Sequence, residues 1–205
     1  MIFWTAKRLA RTASAAILAF SLAGVETAAE STAPAPKTEA APAPPAPTKP
    51  VDASSGVEAE LVSRPAATLE LTASRDDIYL AVNEAIGRIT AELNKKGLKP
   101  AARPMAVFLG SDEKTFNFRA LVPVDAPAGT IFGANIKFGA TPVGKAIRFE
   151  HKGAYDDIDG TYDGITALLD ERGLETQDIF VEEYVNEVKS SDDPGLIVEI
   201  YVLLK

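Results

Sequence analysis

Hydrophobic and polar positions alternate with two different periods along the second half of this chain. Ile78, Val82, Ile86, Ile89 and Leu93 recur at helical spacing, as do Ile158, Tyr162, Ile165 and Leu169. Each run follows a pair of aspartates, Asp76-Asp77 and Asp156-Asp157, which suits the positive end of a helix. Each ends at a glycine, Gly97 or Gly173, the residue that takes the left-handed backbone at a helix exit. Between the helices the period falls to two. Strands are predicted before the first helix at 67–72 and after it at 105–109 and 116–124. Around the second helix they are predicted at 144–150, 179–185 and 196–204.

The two helical runs are also alike in sequence. Ile89-Thr-Ala-Glu-Leu-Asn-Lys-Lys-Gly-Leu98 agrees with Ile165-Thr-Ala-Leu-Leu-Asp-Glu-Arg-Gly-Leu174 at six of ten positions. Together with the flanking strands this predicts a duplicated strand–helix–strand–strand unit, with repeats at about 66–126 and 143–205. Neither unit can bury both faces of its elements alone. The expected class is therefore α+β, an antiparallel sheet with two helices packed on one face and pseudo-twofold symmetry. A ligand groove is expected where the repeats meet.

Upstream the pattern breaks down. Residues 1–29 read as an export signal: Lys7, Arg8 and Arg11 precede thirteen uncharged, mostly apolar residues from Ala13 to Val25. That is short of the roughly 20 residues needed to span a bilayer. Cleavage is expected after Ala23 or Ala29, giving a periplasmic or secreted protein; a membrane link would come only through an uncleaved signal. Residues 30–61 are rich in Ala and Pro, with seven prolines between Pro34 and Pro50, and are expected to form a disordered linker. The folded domain is expected at 62–205. The Gly-rich stretch from Pro127 to Gly144 lacks a phosphate-loop Lys-Ser/Thr pattern and reads as the link between repeats.

Composition narrows the chemistry. The 205 residues carry 21 Lys+Arg against 29 Asp+Glu, a net charge of −8, which argues against a nucleic-acid partner. Loss of the three basic signal residues takes the charge to −11, or to −10 if Glu26 leaves as well. With no Cys and one His, neither a disulfide framework, a cysteine nucleophile nor a zinc centre is expected, and no cofactor is implied. His151 has no second ligand for a metal. Asp156, Asp157, Asp159 and Asp163 lack the glycine and terminal glutamate of a calcium loop.

Several motifs in order carry a family resemblance. Phe149-Glu-His-Lys-Gly-Ala-Tyr155, Glu171-Arg-Gly-Leu174, Glu183-Tyr184-x-Asn186, Asp193-Pro194 and Glu199-Ile-Tyr-Val-Leu203 resemble the GyrI-like small-molecule-binding family, which includes effector-binding domains of AraC- and MerR-type regulators. The resemblance runs from about Ala66 to Lys205. It implies a duplicated fold and a ligand pocket faced by an acidic residue of the last strand, here Glu199. The chain departs from the pattern in its Val-Leu-Leu ending, and no DNA-binding segment is expected within these residues.

Alternation in the last strand sets Leu196, Val198, Ile200, Val202 and Leu204 on the core face, and Ile197, Glu199, Tyr201 and Leu203 on the other. Aligning the repeats makes Arg119 the counterpart of Glu199, and Phe108 that of Tyr184, with Glu182 pointing the same way as Tyr184. The groove is thus expected to hold Phe108, Arg119, Glu182, Tyr184, Glu199 and Tyr201. Tyr155 either lines its mouth or packs on the helix, and an Arg119–Glu199 ion pair is the alternative that would close it. The leading expectation is an exported module binding a small aromatic or cationic amphiphile. The alternatives are a hydrolase of strained electrophiles using Glu199 or Glu182, and an envelope protein-interaction module. Ligand identity and oligomeric state are left open.

Overall fold

A computed structural model describes residues 56–205 apart from Glu113; the expected signal and nearly all of the expected linker lie outside the described residues. The elements are β1 (Val57–Leu61), β2 (Pro65–Ser74), α1 (Ile78–Lys95), β3 (Met105–Ser111), β4 (Thr115–Pro123), β5 (Lys137–Ala140), β6 (Gly144–Lys152), α2 (Ile158–Arg172), β7 (Thr176–Tyr184) and β8 (Ile197–Leu204), with a 3-10 turn at Tyr155–Asp157. The fold is α+β, with every strand pair antiparallel. β1 falls inside the stretch expected as linker, and β5 inside the expected inter-repeat link. Both are short, and each owes its conformation to a partner distant in sequence.

The helices form where the spacing predicts. The buried residues of α1 are Ile78, Tyr79, Val82, Ala85, Ile86, Ile89 and Leu93; those of α2 are Ile158, Thr161, Tyr162, Ile165 and Leu169. The shared Gly-Leu exit has a physical reason. Gly97 and Gly173 take φ of +69° and +61°, and the amides of Leu98 and Leu174 reach back to the carbonyls of Leu93 and Leu169. These bonds satisfy carbonyls that the helix end leaves without partners.

The strand order is β1-β6-β8-β7-β3-β4-β2-β5. β1 and β2 are joined by only three residues, 62–64, yet five strands lie between them in that order. In a flat sheet the gap would be about 29 Å at about 4.8 Å per step. Three linking residues reach roughly half that distance. The sheet must therefore curl until its ends meet. The pairing confirms it: Val57 faces Arg148, Leu61 faces Gly144, Pro65 faces Ala140 and Thr68 faces Lys137, one unbroken register along a bent two-stranded ribbon. At the bend Arg64 N donates to Thr141 Oγ1 (2.9 Å) and Thr141 N to the Arg64 carbonyl (2.9 Å). The result is a barrel rather than an open sheet.

Two apolar layers follow from strand alternation. The inner layer holds Ala66, Met105, Val107, Leu121, Ala146, Val181, Tyr201 and Leu203, backed by Ala59, Leu61 and Ile179. The outer layer, under the helices, includes Leu69, Phe118, Val122, Phe149, Ile200 and Val202, all buried. α1 packs on β2 and β4 and α2 on β6. The middle strands β3 and β7 lie between these two packing footprints.

Candidate functional site

Between the helices the outer face carries one buried carboxylate. Glu182 of β7 stands in register with Ala106 of β3 and Ile200 of β8, and is 1% exposed. A charge placed there without partners would be very costly. Three tyrosines from three elements supply them. Tyr162 of α2 donates to Oε1 at 2.7 Å, Tyr184 of β7 to Oε2 at 2.6 Å, and Tyr155 of the 3-10 turn to Oε2 at 3.1 Å. All three rings are buried.

Aromatic side chains extend the site on both sides. Tyr79 of α1 lies against Tyr155 with ring centroids 4.8 Å apart, and its hydroxyl donates to the Val188 carbonyl at 3.2 Å. Tyr162 meets Phe180 edge-on at 5.6 Å. Phe180 pairs in register with Phe108, which in turn packs against Phe116 at 5.7 Å and Phe118 at 6.5 Å. The carboxylate thus sits in an aromatic lining that runs from α1 to α2.

Electrostatics at the centre are tense. Burial pushes the Glu182 carboxyl above the usual carboxylate range, and the Tyr184, Tyr162 and Tyr155 hydroxyls pull it back only in part. Burial, then the Glu182 charge, holds all three phenols well above their ordinary range, so they serve as donors. Behind them His151, 3% exposed, bonds through Nδ1 to Thr161 Oγ1 (2.8 Å) and through Nε2 to the Ala154 carbonyl (3.1 Å). A carbonyl only accepts, so Nε2 carries the proton and Nδ1 accepts from Thr161. Burial lowers the His151 pKa, which keeps the ring neutral. This pair ties the turn bearing Tyr155 to the helix bearing Tyr162.

The residues expected in one groove divide between the two faces of the sheet. Phe108, Tyr155, Glu182 and Tyr184 come together on the helix side. Glu199, Tyr201 and Arg119 point into the barrel. Adjacent strand residues face opposite ways, so Glu182 and Glu183 separate the two sets. Inside the barrel Glu199 accepts from Tyr201 (2.7 Å) and Arg148 (3.2 Å), with Arg103 3.8 Å away. The alternative Arg119–Glu199 pair does not form: two strands separate β4 from β8, about 14 Å across the sheet, and Arg119 Nε instead donates to Glu70 at 2.7 Å. Tyr155 both packs on the helix side and reaches the central acid. Tyr79, Tyr162 and Phe180 were not among the expected site residues. Tyr162 and Tyr79 lie on the buried faces of their helices, and a hydroxyl there is a signal, because a buried phenol needs a partner.

The architecture is thus a curled antiparallel sheet carrying two helices, with a phenol-ringed acid between them. Residues 65–205 match the GyrI-like small molecule binding domain, and the chain belongs to that family. No curated protein matches the chain. Among solved structures, the EcmrR C-terminal domain is similar at TM-score 0.62 and 18% identity, over 74% of this chain and 97% of that one. In the EcmrR–DNA complex the same likeness spans only 57% of the EcmrR chain. SAV2435 bound to tetraphenylphosphonium is similar at TM-score 0.54 and 14% identity, over 74% of this chain and 94% of that one. A hydrolase from Listeria innocua is similar at TM-score 0.52 and 10% identity, over 73% and 91%. At these identities the likenesses show the fold.

Proposed function

We propose that this chain binds lipophilic aromatic cations, with the Glu182 carboxylate as counter-charge and the surrounding rings as the wall. The observation that carries this reading is a carboxylate 1% exposed whose bonded partners are three neutral phenols, with no cation bonded to it among the described residues. A delocalised cation that sheds water easily supplies the missing charge, and aromatic faces attract it further. In the ligand-free protein the phenols seal the acid, so entry requires at least one of Tyr155, Tyr162 and Tyr184 to swing aside. That the similar fold of SAV2435 is described bound to tetraphenylphosphonium supports the choice of probe.

Calorimetric titration of the full chain with tetraphenylphosphonium is the test. Saturable one-to-one binding, absent for the neutral triphenylphosphine oxide, is expected; equal binding of the two would end the cationic reading. We also place the protein outside the cytoplasm, on the strength of the basic and apolar pattern of residues 1–29. Recovery of the expressed chain in the cytosolic fraction, uncleaved, would overturn that placement.

A further inference from the structure

The turn that carries Tyr155 is fastened by the chain's one histidine. His151 lies on β6, 3% exposed, and stands in register with Val198 of β8, which in turn pairs with Tyr184 of β7. Its Nε2–H donates to the Ala154 carbonyl at 3.1 Å, and its Nδ1 accepts from Thr161 Oγ1 of α2 at 2.8 Å. The Ala154 carbonyl belongs to the peptide that leads into Tyr155, so this bond orients the start of the 3-10 turn. Beside it, Gly153 N donates to the Leu196 carbonyl and Asp156 N to the Ser191 carbonyl, both at 3.1 Å.

Of the three phenols on Glu182, Tyr155 is held at the longest distances. Its contacts to the carboxylate are 3.1 and 3.3 Å, against 2.7 Å for Tyr162 and 2.6 Å for Tyr184. It also stands on a turn of three residues, whereas the other two are built into α2 and β7. Displacing it therefore disturbs the least backbone structure. The surroundings of His151 give a proton little support. Burial holds the ring below its ordinary range, against the opposing charge of Asp157 in the same turn. Glu150 and Lys152 alternate to the opposite face of β6 and pair with each other at 2.7 Å. β8 and β7 present Val198 and Tyr184, α2 presents Thr161, and the loop after β7 meets the turn through the Ser191 and Leu196 carbonyls. Glu182 stands in the neighbouring row, in register with Ile200 and Phe149. A proton on Nδ1 also requires the Thr161 hydroxyl to turn its hydrogen away. Once the turn lifts, the ring meets water and regains an ordinary pKa of about 6.5.

We propose that His151 is a proton-operated latch: neutral, it holds the Tyr155 turn shut over Glu182, and protonated, it releases that turn. Its consequence for binding rests on the reading of Glu182 as the seat of a cationic guest, whereas the opening itself does not. The sign follows from linkage. The open turn binds the proton more tightly than the closed one, so acid shifts the balance toward open. Where the closed ring takes no proton, lowering the pH from about 7.5 to about 5.5 favours opening by up to about tenfold. The site then exchanges its guest faster in mildly acidic surroundings.

Amide hydrogen exchange of the full chain at those two pH values, corrected for intrinsic rates, tests the latch without any ligand. The amides of Gly153, Asp156 and Asp157, all hydrogen-bonded in the closed turn, are expected to open several-fold more in acid. Amides of the β7–β8 ladder should not. His151→Gln keeps a neutral donor and takes no proton, so its turn should open equally at both pH values. The single histidine gives one Hε1 resonance, and Thr161→Val should raise its titration midpoint, because a bond that favours the neutral ring is gone. For tetraphenylphosphonium, the ratio of association rates in acid and at neutrality should be several-fold greater in wild type than in His151→Gln, since both keep Glu182. Absence of tetraphenylphosphonium binding would refute the cationic site and leave the latch to be decided by the exchange of 153–157 alone. Equal opening of wild type at the two pH values, the same acid response in His151→Gln, or an unmoved midpoint in Thr161→Val would each overturn the latch.

Discussion

Replacing Glu182 with Gln separates the role of its charge from the role of its shape. The amide keeps the volume and one oxygen acceptor, and its nitrogen can donate to a phenol oxygen. What it removes is the counter-charge. If the centre of a tetraphenylphosphonium ion is held about 6 Å from the carboxylate, an effective dielectric constant near 20 gives an attraction of about 3 kcal/mol. Losing it should weaken binding about a hundredfold. Stability should move the opposite way. The folded pKa of Glu182 lies above the ordinary value for a glutamate because burial disfavours the ion. The folded state therefore holds this proton more tightly than the unfolded chain does. Stability attributable to the group is present below the unfolded pKa and is lost as pH rises through the folded one. At neutral pH the ionised acid is a burden on the free protein, and Glu182→Gln should melt no lower than wild type. Calorimetric titration and melting curves at pH 4 to 8 measure both quantities. Binding within threefold of wild type in a well-folded Glu182→Gln would refute the reasoning, as would a stability difference between the two proteins that narrows with rising pH.

Tyr162→Phe removes the shorter of the two contacts to Oε1, leaving Tyr155 at 3.3 Å. It should cost about 1–3 kcal/mol in denaturant unfolding, and an unchanged midpoint would count against a structural role for that bond. Gly173→Ala and Gly87→Ala make a matched pair, since an added Cβ meets nothing within 4 Å at either site. Gly173, at φ +61°, should lose about 1 kcal/mol from left-handed strain. Gly87, inside α1, should gain about 0.5–1 kcal/mol from lower chain entropy. Equal effects of one sign would contradict the backbone argument.

Long, strongly patterned elements were legible in the sequence because their own side chains specify them. Ile78 to Leu93 could hardly form anything but an amphipathic helix, and the Gly-Leu exits marked both helix ends. β1 and β5 were not legible. Val57–Leu61 and Lys137–Ala140 carry little pattern, and their pairing with Arg148 to Gly144 and with Pro65 to Thr68 is set by the closing ribbon. The site was half legible for a related reason. Strand alternation correctly opposed Glu199 to Ile200 and grouped Glu182 with Tyr184. It gave no way to decide whether Glu182 and Glu199 shared a face, because that depends on the register between β7 and β8. Glu183, not Glu182, pairs with Glu199, and this one-residue step moves the phenol-ringed acid to the helix side.

The bent ribbon restricts where this protein can move. β1 precedes the first helix but is paired to β6 beside the second, while β5 follows β4 and is paired back to β2. Each side of the barrel is thus stitched to the other by a strand that belongs, along the chain, to its opposite number. A hinge that opened the barrel between β3 and β7 would have to strain the stitching at Arg64 and Thr141 as well. The strands therefore act as a chassis, and admission of a guest falls to what is mounted on it: the helices, the turn at Tyr155 and the phenol rings. On the reading proposed here, a guest at Glu182 would enter by displacing this cover while the paired strands keep their register.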